Sequence, residues 1–393
     1  MQLRLSDSDL AFRDQVRAFL SRALPADLRD KVLLEQRLSR DDLARWHRIL
    51  DDQAWAAPAW PVKWGGTGWT GLQQNIFREE MAAAFAPEPL VQNINLAGPL
   101  IANFGNEAQK AFFLPAVRRL DIWFSQGFSE PGAGSDLASL RTRARLEGDR
   151  YVVDGQKIWS TDAQLSDWMF CLVRTAQEAR PQKGLTFLLI DMRTPGITVR
   201  PIPTIDGDHY LNEVFFDGVE VPADNLLGEE GRGWDYARSL LAHERIGIAR
   251  TALTRRRLRR ARHLAEQIEA QGDGLAARDF RLRIAALEVE LRALEMTALR
   301  AIQADGTGGP DPSVLKLKGT ELQQASTELL VELGGPLAMV RQTEWLLGER
   351  EHSLAPTDTA AATATYFQLR AASIYGGSNE IQRNILARKL LAN

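Results

Sequence analysis

Three stretches of the chain combine residue types that could do chemistry. Gln126-Gly127-Phe128-Ser129-Glu130-Pro131-Gly132-Ala133-Gly134-Ser135-Asp136 is a Gly-rich turn with Ser near both ends. Such a turn exposes backbone N–H groups and hydroxyls, which suits the edge of a flat heteroaromatic ring or a phosphate. On its own it reads equally as a connector between strands. The second stretch is Gly155-Gln156-Lys157-Ile158-Trp159-Ser160-Thr161, and the third is Ile374-Tyr375-Gly376-Gly377-Ser378-Asn379-Glu380-Ile381-Gln382-Arg383. His243 adjoins Glu244, and a lone His beside an acid reads as a surface pair or a supporting contact. No Walker loop, HExxH or GxSxG is present, and no GxGxxG follows a strand. The five His are not spaced as metal ligands, and a single Cys, Cys171, leaves no multi-cysteine site, so no metal is expected.

The elements that must position these stretches follow from the apolar periodicity. Leu10, Phe12, Val16, Phe19 and Leu20 recur at helical spacing behind a cap at Ser6 or Ser8. Ser39-Arg40-Asp41-Asp42 predicts a second helix start, and helices are expected over 78–86 and 107–117. Trp60–Gly68, with its proline and three glycines, predicts a structured loop. From about residue 122 the period changes to that of strands, at 143–147, 151–154, 167–174, 184–191, 197–201 and 213–221. Nothing between them is long enough for a helical crossover, so an antiparallel barrel or sandwich is expected. After Gly231-Arg232-Gly233-Trp234 the helical period returns to the end, with a long amphipathic helix around 284–299, a Gly/Pro-rich interruption at 305–312, and a helix over 315–333 stopped by Gly334-Gly335-Pro336. The fold class is therefore α+β, in the order α, β, α.

Composition sets the outer limits. At 393 residues the chain holds two or three domains. With 45% apolar and 25% charged residues it reads as globular rather than disordered or fibrous. A net charge of −3 gives no overall attraction to nucleic acid or an anionic membrane. No apolar run is long enough to cross a bilayer, and residues 1–20 lack a signal-peptide core, which together with the lone thiol predicts a cytoplasmic protein. Arg255, Arg256, Arg257, Arg259, Arg260 and Arg262 crowd one helix. The simpler reading is a solvated face, and the sharper one a contact to a phosphate.

Taken together and in this order, the three stretches, with Trp64-Gly65-Gly66-Thr67-Gly68 and Val219-Glu220-Val221-Pro222, resemble the acyl-CoA dehydrogenase family over almost the whole chain. Within it the sequence looks most like the large subunit of pimeloyl-CoA-type dehydrogenases. The resemblance implies an N-terminal helical domain (1–121), a middle antiparallel β-barrel domain (122–232) and a C-terminal four-helix bundle (233–393). It implies FAD as cofactor, with Gln126, Phe128, Ser129, Trp159 and Thr161 around the flavin ring and Ser378 and Glu380 at its adenosine portion. It implies substrate contacts at Ser135, Arg245 and Gly376. The partners it implies are an acyl-CoA substrate, an electron-transferring flavoprotein, and further copies of the chain or a smaller homologous subunit. Many members carry the catalytic acid where this chain has Gly376, and a minority carry it on the first bundle helix, where this chain has Glu244. Glu244 is thus the expected base. The family's pyrophosphate-gripping Arg-x-x-Phe-Gly is not matched at Ala270–Gly274, and Arg255–Arg262, Arg278, Arg281 and Arg283 are the possible replacements. A same-fold flavin oxidase or monooxygenase, and a non-catalytic subunit of a hetero-oligomer, are the alternatives.

Overall fold

Capping chemistry starts the helices where the sequence predicts. In the computed structural model, which describes residues 5–247, 249–304 and 309–391 and only the backbone of 241–247, Ser6 and Ser39 each close a reciprocal capping box. The first opens α1 (Asp7–Ala23) and the second α3 (Arg40–Asp52), with α2 (Ala26–Leu33) between them. The expected helix at 78–86 is α4 (Gly71–Ala83). Thr70 and Gln73 form a third box, so the helix starts well before its first clear apolar repeat. A π-helical turn, Gln92–Ala97, runs into α5 (Gly98–Phe104), and α6 (Glu107–Arg119) follows. Phe12, Phe19, Trp55, Trp69 and Phe77 form an edge-on aromatic cluster among the first four helices, with ring centroids 4.8–5.8 Å apart.

The strands are β1 (Phe124–Gly127), β2 (Arg143–Glu147), β3 (Arg150–Lys157), β4 (Trp168–Arg174), β5 (Leu185–Asp191), β6 (Ile197–Ile202), β7 (Leu211–Pro222) and β8 (Leu226–Leu227). They form one sheet in the order β6-β7-β3-β2-β4-β5-β8, with β1 added on β4. Most pairs are antiparallel. The exceptions are β1 on β4 and a single contact of β2 with β4, both parallel. The β2–β3 hairpin lies between β1 and β4 in the chain, so it provides the crossover that a parallel pair requires. Gly127 is needed at this junction: a Cβ there would sit 2.5 Å from Met169 Sδ and 2.9 Å from Cys171 Sγ.

The C-terminal part contains α7 (Gly233–Gly247), α8 (Thr251–Ala270), α9 (Gly274–Gln303), α10 (Pro312–Ala338), α11 (Thr343–Leu346), α12 (Ala362–Gln368) and α13 (Asn379–Leu391). Leu258, Leu264, Ile284, Leu291, Leu322 and Leu329 fill the core of the bundle made by α8, α9 and α10. Gly335, at φ 63°, breaks α10 where the sequence placed its stop. Among the described residues no helix is long and apolar enough to cross a membrane, and no group of side chains could hold a metal ion.

One apolar core runs through all three parts. It joins Trp60, Ile94, Leu100, Phe113 and Val117 to Phe124, Phe128, Phe170 and Phe187 of the sheet, and on to Tyr236 and Leu240 of α7. Asn93, fully buried, ties the first layer to the second. Its Nδ2 donates to the Ile122 and Val117 carbonyls, and its Oδ1 accepts from the Phe124 N–H at 2.8 Å.

His47 is buried in the N-terminal layer, with Nε2 accepting from the Leu90 N–H and Nδ1 facing the Arg118 carbonyl, both at 3.3 Å. Burial holds its pKa down at about 4. The folded state therefore prefers the neutral ring. Its contribution is complete above the unfolded-state value near 6.5 and is lost as the pH falls toward 4, by up to about 3 kcal/mol. His47→Gln, which cannot titrate, is expected to flatten the fall of Tm between pH 6.5 and 5; equal slopes for the two proteins would refute this role.

Candidate functional site

The first two sequence stretches meet in space. β1 ends at Gly127 and β3 at Lys157, and the chain beyond each is stitched to the other. The Ile158 N–H donates to the Ser129 carbonyl at 2.9 Å, and Lys157 Nζ donates to the Phe128 carbonyl at 3.0 Å. Lys157 has no exposed surface and pairs with Glu130 at 2.8 Å. Glu130 also accepts from the backbone N–H groups of Arg141 (2.6 Å) and Thr142 (2.9 Å). Burial pushes the Glu130 carboxyl upward, but the Lys157 charge and these bonds outweigh it, and its pKa lies below the usual range. Phe128 itself points into the shared core, 5.8 Å from Phe170 and 5.6 Å from Phe187, so it presents only backbone to a ligand. Gln126 and Ser129 are half-buried beside it, and Ser135 is exposed farther along the loop.

Trp159 is held in an unfavourable backbone conformation and leaves its ring in the open. Its φ is 63° and its relative exposure 55%. A bulky residue in the left-handed region costs on the order of 1–2 kcal/mol and persists only where its surroundings enforce it. They do so here. The Ser160 N–H donates to the Asn212 carbonyl (3.0 Å), Asn212 Nδ2 returns a bond to the Ser160 carbonyl (3.1 Å), and the Asp162 N–H donates to the Tyr210 carbonyl (2.7 Å). Asn212 is fully buried, and its Oδ1 contacts His209 Nε2 at 2.9 Å. Arg37 of the N-terminal layer holds Asp208 and the His209 carbonyl. Ser160 Oγ is buried without a hydrogen-bond partner, and Thr161 is half-buried next to it. Asp162, also at positive φ, has its carboxyl pushed up to about 6, chiefly by burial.

The third stretch reaches the same region through Tyr210. That phenol is pushed up to about 12 by burial first, with Asp206, Asp208 and Tyr375 adding to it. Gly376 and Gly377 adopt φ 64° and 86°, and Ser378 caps α13 by accepting from the Ile381 N–H at 3.4 Å. Asn379 is anchored to Thr320 of α10, and Lys316 of α10 donates to the Ala372 carbonyl. Glu380 is exposed, 3.9 Å from Arg383. Glu244 and Arg245 belong to the backbone of α7, and their side chains lie outside the described residues.

The arginine run is not a solvated face. Arg255 bridges Glu79 and Glu295, Arg260 lies 3.5 Å from Glu35, and Arg257 is buried, while Arg259 is exposed and the exposed Arg262 pairs with Glu288. The helix packs two faces against acidic neighbours, so the period of the charges, not their number, decides which ones meet water. Arg281 and Arg283 are paired at the surface with Glu269 and Glu332. The residues that sequence reading missed are Lys157, Glu130 and Asn212. Lys157 carried a signal: it shares the strand parity of the buried Tyr151 and Val153. A charge at an inward position implies a buried counter-charge.

Comparison with known proteins matches three family models: the acyl-CoA dehydrogenase N-terminal domain over residues 6–121, the middle domain over 125–219 and the C-terminal domain over 231–391. The chain is similar to acyl-CoA dehydrogenase IpdE1 of Mycobacterium tuberculosis, 34% identical over 97% of this chain and 96% of that protein. It is also similar to acyl-CoA dehydrogenase FadE26 of the same organism, at 31% over 98% and 97%. Among solved structures it superposes on the ChsE4-ChsE5 complex from M. tuberculosis with TM-score 0.83 and 29% identity, covering 100% of this chain and 99% of that one.

If the Lys157–Glu130 pair fixes the two stretches, Lys157→Met leaves a buried carboxylate unpaired, expected to cost about 3–5 kcal/mol. The double variant with Glu130→Gln restores part of that loss. Denaturant unfolding of the two single variants and the double variant measures the coupling; additive effects would show that the pair does not act as a unit.

Proposed function

Because the chain belongs to the acyl-CoA dehydrogenase family, we propose that it dehydrogenates an acyl-CoA thioester between Cα and Cβ, giving a trans-2-enoyl-CoA, with FAD as the acceptor. The observation that carries this reading is Trp159, exposed and strained beside the Ser129 backbone, with the orphaned Ser160 hydroxyl behind it. An open aromatic face beside free main-chain groups suits a planar, hydrogen-bonding ring, and so the residues fit a flavin. Gln126, Ser129, Trp159 and Thr161 would hold its ring system, and Ser378 and Glu380 its adenosine portion. When bound, FAD takes up the β-hydrogen with its electron pair and later passes the electrons to an electron-transferring flavoprotein.

The chain's own residues supply the rest. Glu244 is the group that takes the α-proton, since position 376 has no side chain. A base that takes this proton works best when its pKa lies near the operating pH. The Gly376 N–H donates to the thioester carbonyl and stabilises the negative charge that builds as the proton leaves. Glycine keeps that donor and adopts φ 64° without strain. Ser135 and Arg245 bind the CoA portion and the thioester end.

Assembly belongs to the same reading. Leu275, Leu282 and Val289 recur every seven residues along α9, with relative exposures of 82%, 64% and 71%. A seam of this period packs against another helix, supplied by a second copy or by a smaller homologous chain.

Three measurements test the proposal. The purified protein, alone or with its partner, is expected to be yellow and to bleach with a suitable acyl-CoA under anaerobic conditions. Turnover in air without an added acceptor would instead mark an oxidase. Glu244→Gln should retain flavin and Tm but bleach about 10²–10⁴-fold more slowly; near-normal bleaching removes Glu244 from the reaction. Gly376→Glu in that background should restore part of the rate, at a cost of about 1 kcal/mol for a side chain at positive φ.

A further inference from the structure

The turn at the proposed flavin site is gripped from outside the sheet that carries it. Two arginines three residues apart, Arg37 and Arg40, stand where the N-terminal layer enters α3. Arg37 forks across the loop between β6 and β7. Its Nη1 donates to the Asp208 carboxylate and its Nη2 to the His209 carbonyl at 3.1 Å. Arg40 forks in the same way onto a different segment. Its Nη1 donates to the Leu165 carbonyl at 2.7 Å and its Nη2 to Asp167 at 2.5 Å. Leu165 ends the short 3₁₀ turn that follows Asp162, and its N–H donates to the Asp162 carbonyl at 2.9 Å. One arginine therefore holds the chain just after the turn, and the other holds the loop to which the turn is bonded.

Both grips have a fixed base. The capping box of Ser39 and Asp42 sets the start of α3, and Lys31 Nζ donates to Asp42 at 2.6 Å. The Arg37 N–H donates to the Leu346 carbonyl at 2.8 Å, and Gln36 Nε2 to the Trp345 carbonyl at 3.0 Å. The Arg40 guanidinium lies over the ring of Trp123, 5.2 Å from its centroid.

From Arg37 a short relay reaches the strained residue. His209 Nε2 carries its proton toward Asn212 Oδ1, which is 2.9 Å away and can only accept. That bond turns Asn212 Nδ2 toward the Ser160 carbonyl (3.1 Å) and Gln164 Oε1 (2.6 Å). Gln164 Nε2 donates back to the His209 carbonyl at 3.2 Å, the oxygen that Arg37 also holds. The conformations enforced at the end of this relay are the unfavourable ones, Trp159 at φ 63° and Asp162 at φ 52°.

We propose that Arg37 and Arg40 are positioning residues for the flavin. They make the N-terminal layer a clamp that shapes the Trp159–Asp162 turn before FAD arrives. This rests on the flavin reading above. A turn ordered on folding rather than on binding holds its ligand more tightly.

Hydrogen exchange of the flavin-free protein tests the clamp without any ligand. The Ser160 and Asp162 N–H groups, bonded to the Asn212 and Tyr210 carbonyls, report on the turn. In Arg37→Met and in Arg40→Met they should exchange about tenfold faster than in the wild type. Arg37→Lys, which keeps the charge but cannot span both acceptors, should give an intermediate rate. Arg48→Met, which removes a pair with Asp121 from the same helix, should leave both amides unchanged. FAD titration is the second readout. The Kd of Arg37→Met should rise about tenfold, while its Tm without flavin stays close to that of the wild type, because partly exposed pairs stabilise little. A merely structural role would instead lower Tm and quicken exchange throughout the N-terminal layer. Unchanged exchange at Ser160 and Asp162 in both Met variants overturns the clamp, and so does a loss of FAD affinity that Arg48→Met reproduces. Faster exchange with an unchanged Kd overturns the positioning role. If the wild type, alone or with its partner, binds no FAD, the flavin reading fails, and the exchange rates still decide whether the arginines hold the turn.

Discussion

A buried ammonium and a buried carboxylate, Lys157 and Glu130, hold the middle of this protein together. Neither would be stable there alone. Together with the Phe128 carbonyl and the Arg141 and Thr142 N–H groups they close a small polar network inside an apolar sheet. That network ties the end of β1 to the end of β3 and so sets the backbone of Ser129 against that of Ile158. The turn carrying Trp159 begins one residue later. The strained conformation of that turn can be held because its start is fixed by this pair and its far side by Asn212 and Tyr210.

Much of this architecture was legible in the chain, because capping and strand period are local signals. Ser6 and Ser39 cap helices as their sequence neighbours imply, and the strand limits fall within a few residues of the apolar alternation. What was not legible depends on partners distant in sequence. The parallel seat of β1 on β4 requires Gly127 to lie against Met169 and Cys171. The φ of Trp159 is imposed by Asn212, more than fifty residues away. The arginines of α8 are sorted into paired, buried and exposed by the positions of Glu35, Glu79, Glu88 and Glu295, which no local pattern specifies.

Among the described residues, positive-φ backbone and buried polar atoms without a hydrogen-bond partner coincide at two places, the Trp159–Asp162 turn with Ser160 and the start of α8 with Arg250 and Arg257. Such concentrations lower the stability of the empty protein and are relieved, or made useful, only when something binds. Stabilising substitutions would be easiest to find at these two places, and would be the most damaging there.

The core that runs from the N-terminal helices through the sheet to α7 has a consequence for how the chain is made. Ile94, Leu100, Phe113 and Val117 cannot be fully covered until Tyr236 and Leu240 have left the ribosome. More than a hundred residues separate Val117 from Leu240, which at bacterial to eukaryotic elongation rates is a delay of about 6–25 s. For that time the first layer presents an apolar face to solvent, or to whichever chaperone waits at the exit tunnel. Slow codons between these two points would prolong the exposure, so nascent-chain yield should respond to synonymous changes in that interval more than to the same changes after residue 240.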